Sequence, residues 1–242
     1  MEEIMTSKKQ RIKFGERIID FELIKSKRKT LSIIVKPDLK VLVKAPENAS
    51  NDKIKQKVHK KATWIIKQKN YFQEFLPLQP EKRYVSGESF KYLGKQYRLK
   101  VYKSKVESVK LKSGYINIYT PLKNDKLKIK NQLDNWYSKL AFIRFEKRLT
   151  ELFPKFKRYT PKAYTFKLRK MKNRWGSCTP KGKISINPNL IKASSLCIDY
   201  VLIHELCHLV IPNHSSKFYD LLTKMEPNWV DIKNKLERTA HN

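Results

Sequence analysis

Cysteine is scarce in this chain: Cys178, Cys197 and Cys207 are the only three, an odd number with no CxxC spacing. That fits reduced thiols better than a disulfide framework. Long apolar runs are missing too. No stretch approaches the ~20 residues a membrane helix needs, so no membrane span is expected. The opening residues, MEEIMTSKKQ, lack the apolar segment of a secretory signal, and a cytoplasmic location is expected. There is no GxxxxGK[ST] phosphate loop. Acidic residues are few: 22 Asp and Glu against 54 Lys and Arg, a formal net charge of +32. Such a field attracts polyanions, so a nucleic acid or nucleotide partner is one expectation. The lysines are spread along the whole chain, however, as in any lysine-rich proteome, and charge alone leaves that partner open.

What is present suits a globular protein. Hydrophobic residues make up 40% and charged residues 31% of 242 residues, enough for one large domain or two small ones. After a polar start comes IIDFELI, followed by two β-rich runs, TLSIIV (30–35) and KVLVKAP (40–46), separated by the turn-prone KPDL. Residues 49–69 read as a helix. Ser50 or Asn51 caps it, Asp52 suits its first turn, and Ile54, Val58, Trp64 and Ile65 form its apolar stripe. PLQPEK (77–82) is a break. Hairpins follow around Gly94 and Ser113-Gly114, then a long amphipathic helix over 123–153, ended by Pro154 and Pro161. Strand, Pro, Asp, helix, Trp thus occurs twice, as Pro46, Asp52, Trp64 and as Pro121, Asp125, Trp136. Hairpin-then-helix is common enough to explain this without a repeat. Residues 163–193 read as two short strands joined by a loop that holds Trp175, Gly176, Ser177 and Cys178.

Residues 204–214, HELCHLVIPNH, hold three of the five histidines. His204 and His208 are four apart, so on a helix they share one face, one turn apart. Two imidazoles so placed can take adjacent corners of a tetrahedral zinc site. Glu205 is rotated by about 100° around the helix, beside the metal, where a general base for an activated water belongs. Leu202, Leu206, Leu209 and their apolar neighbours make the helix a stiff support. Without a metal, the set would need partners for three polar groups inside an apolar helix. A catalytic zinc needs a third ligand and an open position. His214 is the obvious choice, because Pro212 ends the helix and lets the chain swing back. The same spacing occurs in metzincins, but those carry glycine where Ile211 stands.

NRWGSC, GKISINPNL and IDYVLIHELCHLVIPNHSSKFYDLL together resemble the YgjP-like metallopeptidase domain family, a group related to the SprT-like zincins. KSKRKTLSIIV and VLVKAP extend the resemblance, so it covers about residues 25–235. It implies Zn2+ at His204, His208 and His214, with Glu205 as catalytic base; it does not name the natural substrate, for which a peptide or protein is the expectation. It also implies an α+β fold: a zincin-like core with the HExxH helix and a small mixed sheet, preceded by hairpin-plus-helix units. The expected division is an N-terminal segment 1–24, a hairpin and helix part 25–150 and a catalytic part 151–242. Zincins pair extended substrate with an edge strand beside the active-site helix. By that resemblance KISIN (183–187), with Ser185, is the expected platform. Arg174 and Trp175 either line the cleft or pack its loop.

Other readings stay open at this level. The same metal, water and carboxylate could cleave a phosphoanhydride, with the basic surface serving a nucleotide. A nucleic-acid-binding protein with a structural zinc is a third. Cys178 is a weaker nucleophile option, and as a fourth ligand it would close the site. Tyr219 and Asp220 either support the ligands or pack a helix. His59 and His241 read as solvated.

Overall fold

The computed structural model describes residues 8–74, 76, 81–160, 163–172 and 174–241. Its architecture is α+β. The chain forms two compact units, residues 1–80 with 241–242 and residues 81–240.

In the first unit, β1 (Lys8–Phe14), β2 (Arg17–Ser26), β3 (Ser32–Val35) and β4 (Val41–Pro46) form a sheet of order β1-β2-β4-β3. Only the central β2–β4 pair is parallel. Ile19, Phe21, Leu23, Val41, Val43 and Ala45 point to the same side, as the two-residue period of a strand requires. They pack on Ile54, Val58, Ala62 and Ile65 from α1 (Asn51–Lys60) and α2 (Ala62–Gln73). The single helix expected here breaks at Lys61, whose φ of −104° and ψ of 8° turn its N–H to Val58 and His59. Ser50 is the cap: its hydroxyl accepts from the Lys53 N–H. Trp64 does not join the buried stripe and is 42% exposed. Ala62 takes that place, one turn after Val58.

In the second unit β5 (Ser89–Tyr92), β6 (Lys95–Lys103), β7 (Ser108–Lys112) and β8 (Tyr115–Thr120) repeat the topology: order β5-β6-β8-β7, parallel only in the centre. A shared crossover pattern goes beyond hairpin-then-helix, so the repeat in the sequence has a structural counterpart. Its markers are not all equivalent. Asp125 caps the next helix by accepting from the Lys128 N–H, the position held by Ser50 rather than Asp52 in the first unit. Trp136 packs on Tyr92, whereas Trp64 is exposed.

That next helix, α3 (Lys126–Leu152), buries Ile129, Leu133, Tyr137, Ala141, Phe145 and Leu149, a stripe at four-residue spacing. One core runs from β6 and β8 through α3 to the last helices. The chain therefore has no break at 150, where the sequence suggested one. Pro154 opens a 3₁₀ turn (Phe153–Phe156) after α3, and Pro161 lies outside the described residues.

Three short strands follow, where two were expected: β9 (Thr165–Leu168), β10 (Gly176–Cys178) and β11 (Lys183–Ile186), in order β10-β11-β9. The Gly-Ser-Cys segment is thus a strand and not a connecting loop. A 3₁₀ turn (Pro188–Lys192) leads to α4 (Ser195–Val210), then α5 (Ser216–Met225) and α6 (Trp229–His241). The start of α4 is held firmly. Ser194 caps it by accepting from the Cys197 N–H. The β5–β6 turn docks there through Leu93 N–H to Ile191 O (2.9 Å) and Gly94 N–H to Lys192 O (3.2 Å). A Cβ at Gly94 would lie 3.0 Å from Ser194 Cα, and its φ is +79°, so glycine is required twice over. Arg148 of α3 grips Asp199 of α4 in a two-pronged ion pair of 2.8 and 2.9 Å.

Candidate metal centre

The second half of α4 carries the HELCH residues. The helix ends where the Ile211 N–H bonds to Cys207 O, and Pro212 prevents another turn. The chain then reverses, and His214 returns to the face that bears His204 and His208. The three rings lie 4.6 to 5.1 Å apart between centroids. One nitrogen from each lies within 4.8 Å of the others. His204 Nε2 and His214 Nε2 are 3.1 Å apart. Two ligands at ~2.0–2.1 Å from a tetrahedral metal stand about 3.3 Å from each other, so this spacing suits a shared ion.

Their protonation suits one as well. His208 Nδ1 lies 3.1 Å from the Ile211 carbonyl, which can only accept, so Nδ1 carries the proton and Nε2 keeps its lone pair. Burial, reinforced by the other two histidines, pushes His204 down to about 3. Burial also lowers His208. Both imidazoles are therefore neutral at ordinary pH, as ligands must be. Phe218 of α5, fully buried, lies beneath all three rings at 4.6 to 5.0 Å. It is the shared floor that fixes their tilt. Nothing in local spacing marks Phe218, because His214 precedes the Ser215 cap of α5 and only the chain reversal brings the ring under the histidines.

Glu205 is 5% exposed and projects beside the histidines. Its Oε2 has no hydrogen-bond partner among the described residues. Burial pushes its carboxyl up to about 8, opposed in part by the Arg174 charge. The carboxyl packs directly on Gly176, where an added Cβ would stand 2.5 Å from Oε1. Glycine at 176 thus makes room for the carboxylate.

The family model of the YgjP-like metallopeptidase domain matches residues 29–239. The chain belongs to that family. Two solved structures that match are metallopeptidase zymogens. Abylysin of Pyrococcus abyssi is 25% identical, with 38% of this chain and 90% of that one covered at a TM-score of 0.35. Jannalysin of Methanocaldococcus jannaschii is 18% identical, with 40% and 96% covered at the same score. No curated protein matches. The family's chemistry is metal-dependent hydrolysis of peptides or proteins.

Beside the three histidines, this YgjP-like domain has a cleft of about 550 Å³ whose lining includes Arg174, Trp175, Ser177, Cys178, Tyr200 and Glu205. Arg174 and Trp175 do line it. Ser185 does not: it is buried on β11, the middle strand, with β10 on one side and β9 on the other. KISIN is therefore no edge, and the expectation that it is the substrate platform is corrected. Among the described residues β10 pairs with β11 alone, so the edge at the cleft is Gly176–Cys178. Two residues either side of Ser177, the Trp175 carbonyl accepts from the Asn187 N–H just past β11 and the Thr179 N–H donates to the Lys183 carbonyl. By the alternation of an antiparallel ladder, the N–H and C=O of Gly176 and Cys178 point outward.

The approach to β10 is organised by Asn187, which is buried. Its side chain donates to Met171 O (2.8 Å) and Arg174 O (3.3 Å), and its own N–H bonds to Trp175 O (2.8 Å). Cys178 donates weakly to the Thr179 carbonyl. It is not among the residues whose ligand atoms converge with the histidines. Tyr219 packs between His214 and Trp229, while Asp220 is exposed.

Proposed function

We propose that this YgjP-like domain is a zinc-dependent peptidase in which His204, His208 and His214 hold the metal and Glu205 is the general base. One observation carries the reading: three imidazoles converge with ligand nitrogens within 4.8 Å, beside one buried carboxyl group. When bound, zinc supplies Lewis acidity that polarises a scissile carbonyl and makes a nearby water easier to deprotonate. Glu205 Oε2, without a hydrogen-bond partner among the described residues, is the atom that takes the proton from water and passes it to the leaving amine. Its raised affinity for protons near neutrality suits both halves of that task. Gly176 and Cys178 present outward N–H and C=O groups to which an extended peptide adds as a further strand. Arg174 and Trp175 flank that strand.

Metal analysis with a peptide assay tests the proposal. The purified protein should carry about one zinc per chain, and a chelator should abolish cleavage. Glu205→Gln should keep the zinc and lose on the order of 10²–10⁴ in turnover. Normal cleavage by that variant, or turnover of a nucleoside triphosphate and no peptide, would sink the assignment.

A further inference from the structure

The side of the β5-β6-β8-β7 sheet that faces away from α3 carries chemistry the peptidase reading does not use. Leu99, Val101, Ile116 and Ile118 fill the α3 side. Their neighbours along each strand therefore share the other side. Pairing sets these in three rows across the sheet: Arg98, Tyr115 and Lys112; then Lys100, Asn117 and Lys110; then Tyr102, Tyr119 and Ser108. Rows two residues apart are about 7 Å apart along the strands.

Three tyrosines and five cations thus interleave here, counting Lys91 on β5, and no acidic residue is on this side of the four strands. Tyr102 and Tyr119 are stacked, with centroids 5.2 Å apart and planes 18° from parallel. Lys100 Nζ lies 3.7 Å from the Tyr115 ring centre, and Lys110 Nζ lies 6.0 Å from that of Tyr119. Arg98, Tyr102, Lys110 and Lys112 are exposed. Among the described residues, none of these cations has a carboxylate partner within 4 Å, so each is available to an anion.

The first unit supplies an internal comparison. Its sheet has the same topology, and its corresponding side carries Lys9, Arg11, Lys13 and Lys44 mixed with Asp20 and Glu22, with Arg11 and Asp20 paired and no aromatic ring on that side. The fold therefore demands neither the tyrosines nor the lack of acidic residues at these positions.

We propose that this sheet side binds single-stranded nucleic acid. Ring faces spaced among cations match the two features every single strand exposes, unpaired bases and regularly spaced phosphates. The Tyr102–Tyr119 pair is the platform for a base. Lys100, Lys110, Lys112 and Arg98 take the phosphates on either side. An acidic protein segment would satisfy the cations but leave the stacked rings unused. A duplex keeps its bases inside and offers them nothing.

The test uses the full chain and a fluorescein-labelled 12-mer of oligo(dT), read by anisotropy at several salt concentrations. A protein this basic binds any polyanion weakly, so the decisive variants keep the charge. Tyr102→Ser with Tyr119→Ser should weaken oligo(dT) binding on the order of tenfold or more, since stacking contributes ~1–3 kcal/mol per base. Binding to a 12-base-pair duplex should not change. Lys110→Gln with Lys112→Gln, on the exposed edge strand, should lower the salt slope while leaving stacking intact. Circular dichroism and metal content check that each variant folds. Equal oligo(dT) affinity in a folded tyrosine variant overturns the proposal, as does equal weakening for the duplex. So does polyglutamate displacing the oligonucleotide at matched charge with the same dependence on the tyrosines.

Discussion

A methyl group at residue 176 would stand 2.5 Å from Glu205 Oε1 and 2.8 Å from its Cδ. Contact that close forces the carboxyl aside, and a general base must stay within hydrogen-bond reach of its proton. Gly176→Ala should therefore lower peptidase turnover on the order of 10²-fold while the three histidines still bind metal. Turnover near that of the parent protein would show that Glu205 has room to spare. The same carboxyl makes a pH prediction. Its folded pKa is raised to about 8 from 4.5, so between those values the folded metal-free protein holds a proton that the unfolded chain has released. This contribution to stability is fully present below about 4.5 and is lost as pH rises through 8. Glu205→Gln removes the dependence. Thermal unfolding in chelator should show the variant gaining stability over the parent as pH goes from 5 to 9; a constant difference would refute the burial argument. Local sequence placed His204, Glu205 and His208 on one helix, because their spacing is a property of the helix. Phe218 and Gly176 were not legible in the same way, since their roles depend on what packs against them.

At the scale of elements, the short strand β10 changes the substrate reading. An alternating run such as KISIN shows that a strand exists but not which neighbours it has, and here it has one on each side. The three-residue β10 is too short for periodicity to reveal, yet it holds the edge. Peptide addition at that edge uses the backbone of Gly176 and Cys178 rather than side chains. Two outcomes follow. Cys178→Ser should retain most of the activity, because the thiol supplies no nucleophile; loss of covalent labelling together with loss of turnover would revive the cysteine mechanism. N-methylation of single backbone amides in a peptide substrate should raise KM about tenfold at alternate positions and little between them. A uniform effect along the peptide would argue against strand addition. The break at Lys61 carries a related lesson: a continuous helical pattern over 49–69 is served equally well by two helices, and the docking of Ala62 and Ile65 selects the latter.

For the whole molecule, the two units have separate hydrophobic cores, one built on β1–β4 with α1 and α2, the other running from β5 to α6. Each core closes within its own unit, so a fragment of residues 81–242 should fold cooperatively and bind one metal ion. A fragment that stays unfolded in circular dichroism would place part of the catalytic unit's stability in the first eighty residues. The charge of +32 is a property of the whole sequence and names no partner; only the tertiary arrangement gathers three tyrosines and five cations on one side of one sheet. The sequence by itself determined what short-range geometry controls: the His204–His208 face, the helix stop at Pro212 and the alternation of the strands. Tertiary structure decided which strand lies at the edge, what floor the histidines rest on, why residue 176 is glycine and how far the two sheets repeat one another. Those outcomes depend on contacts between segments far apart in the chain, such as Gly176 with Glu205 and Gly94 with Ser194, which local spacing does not encode.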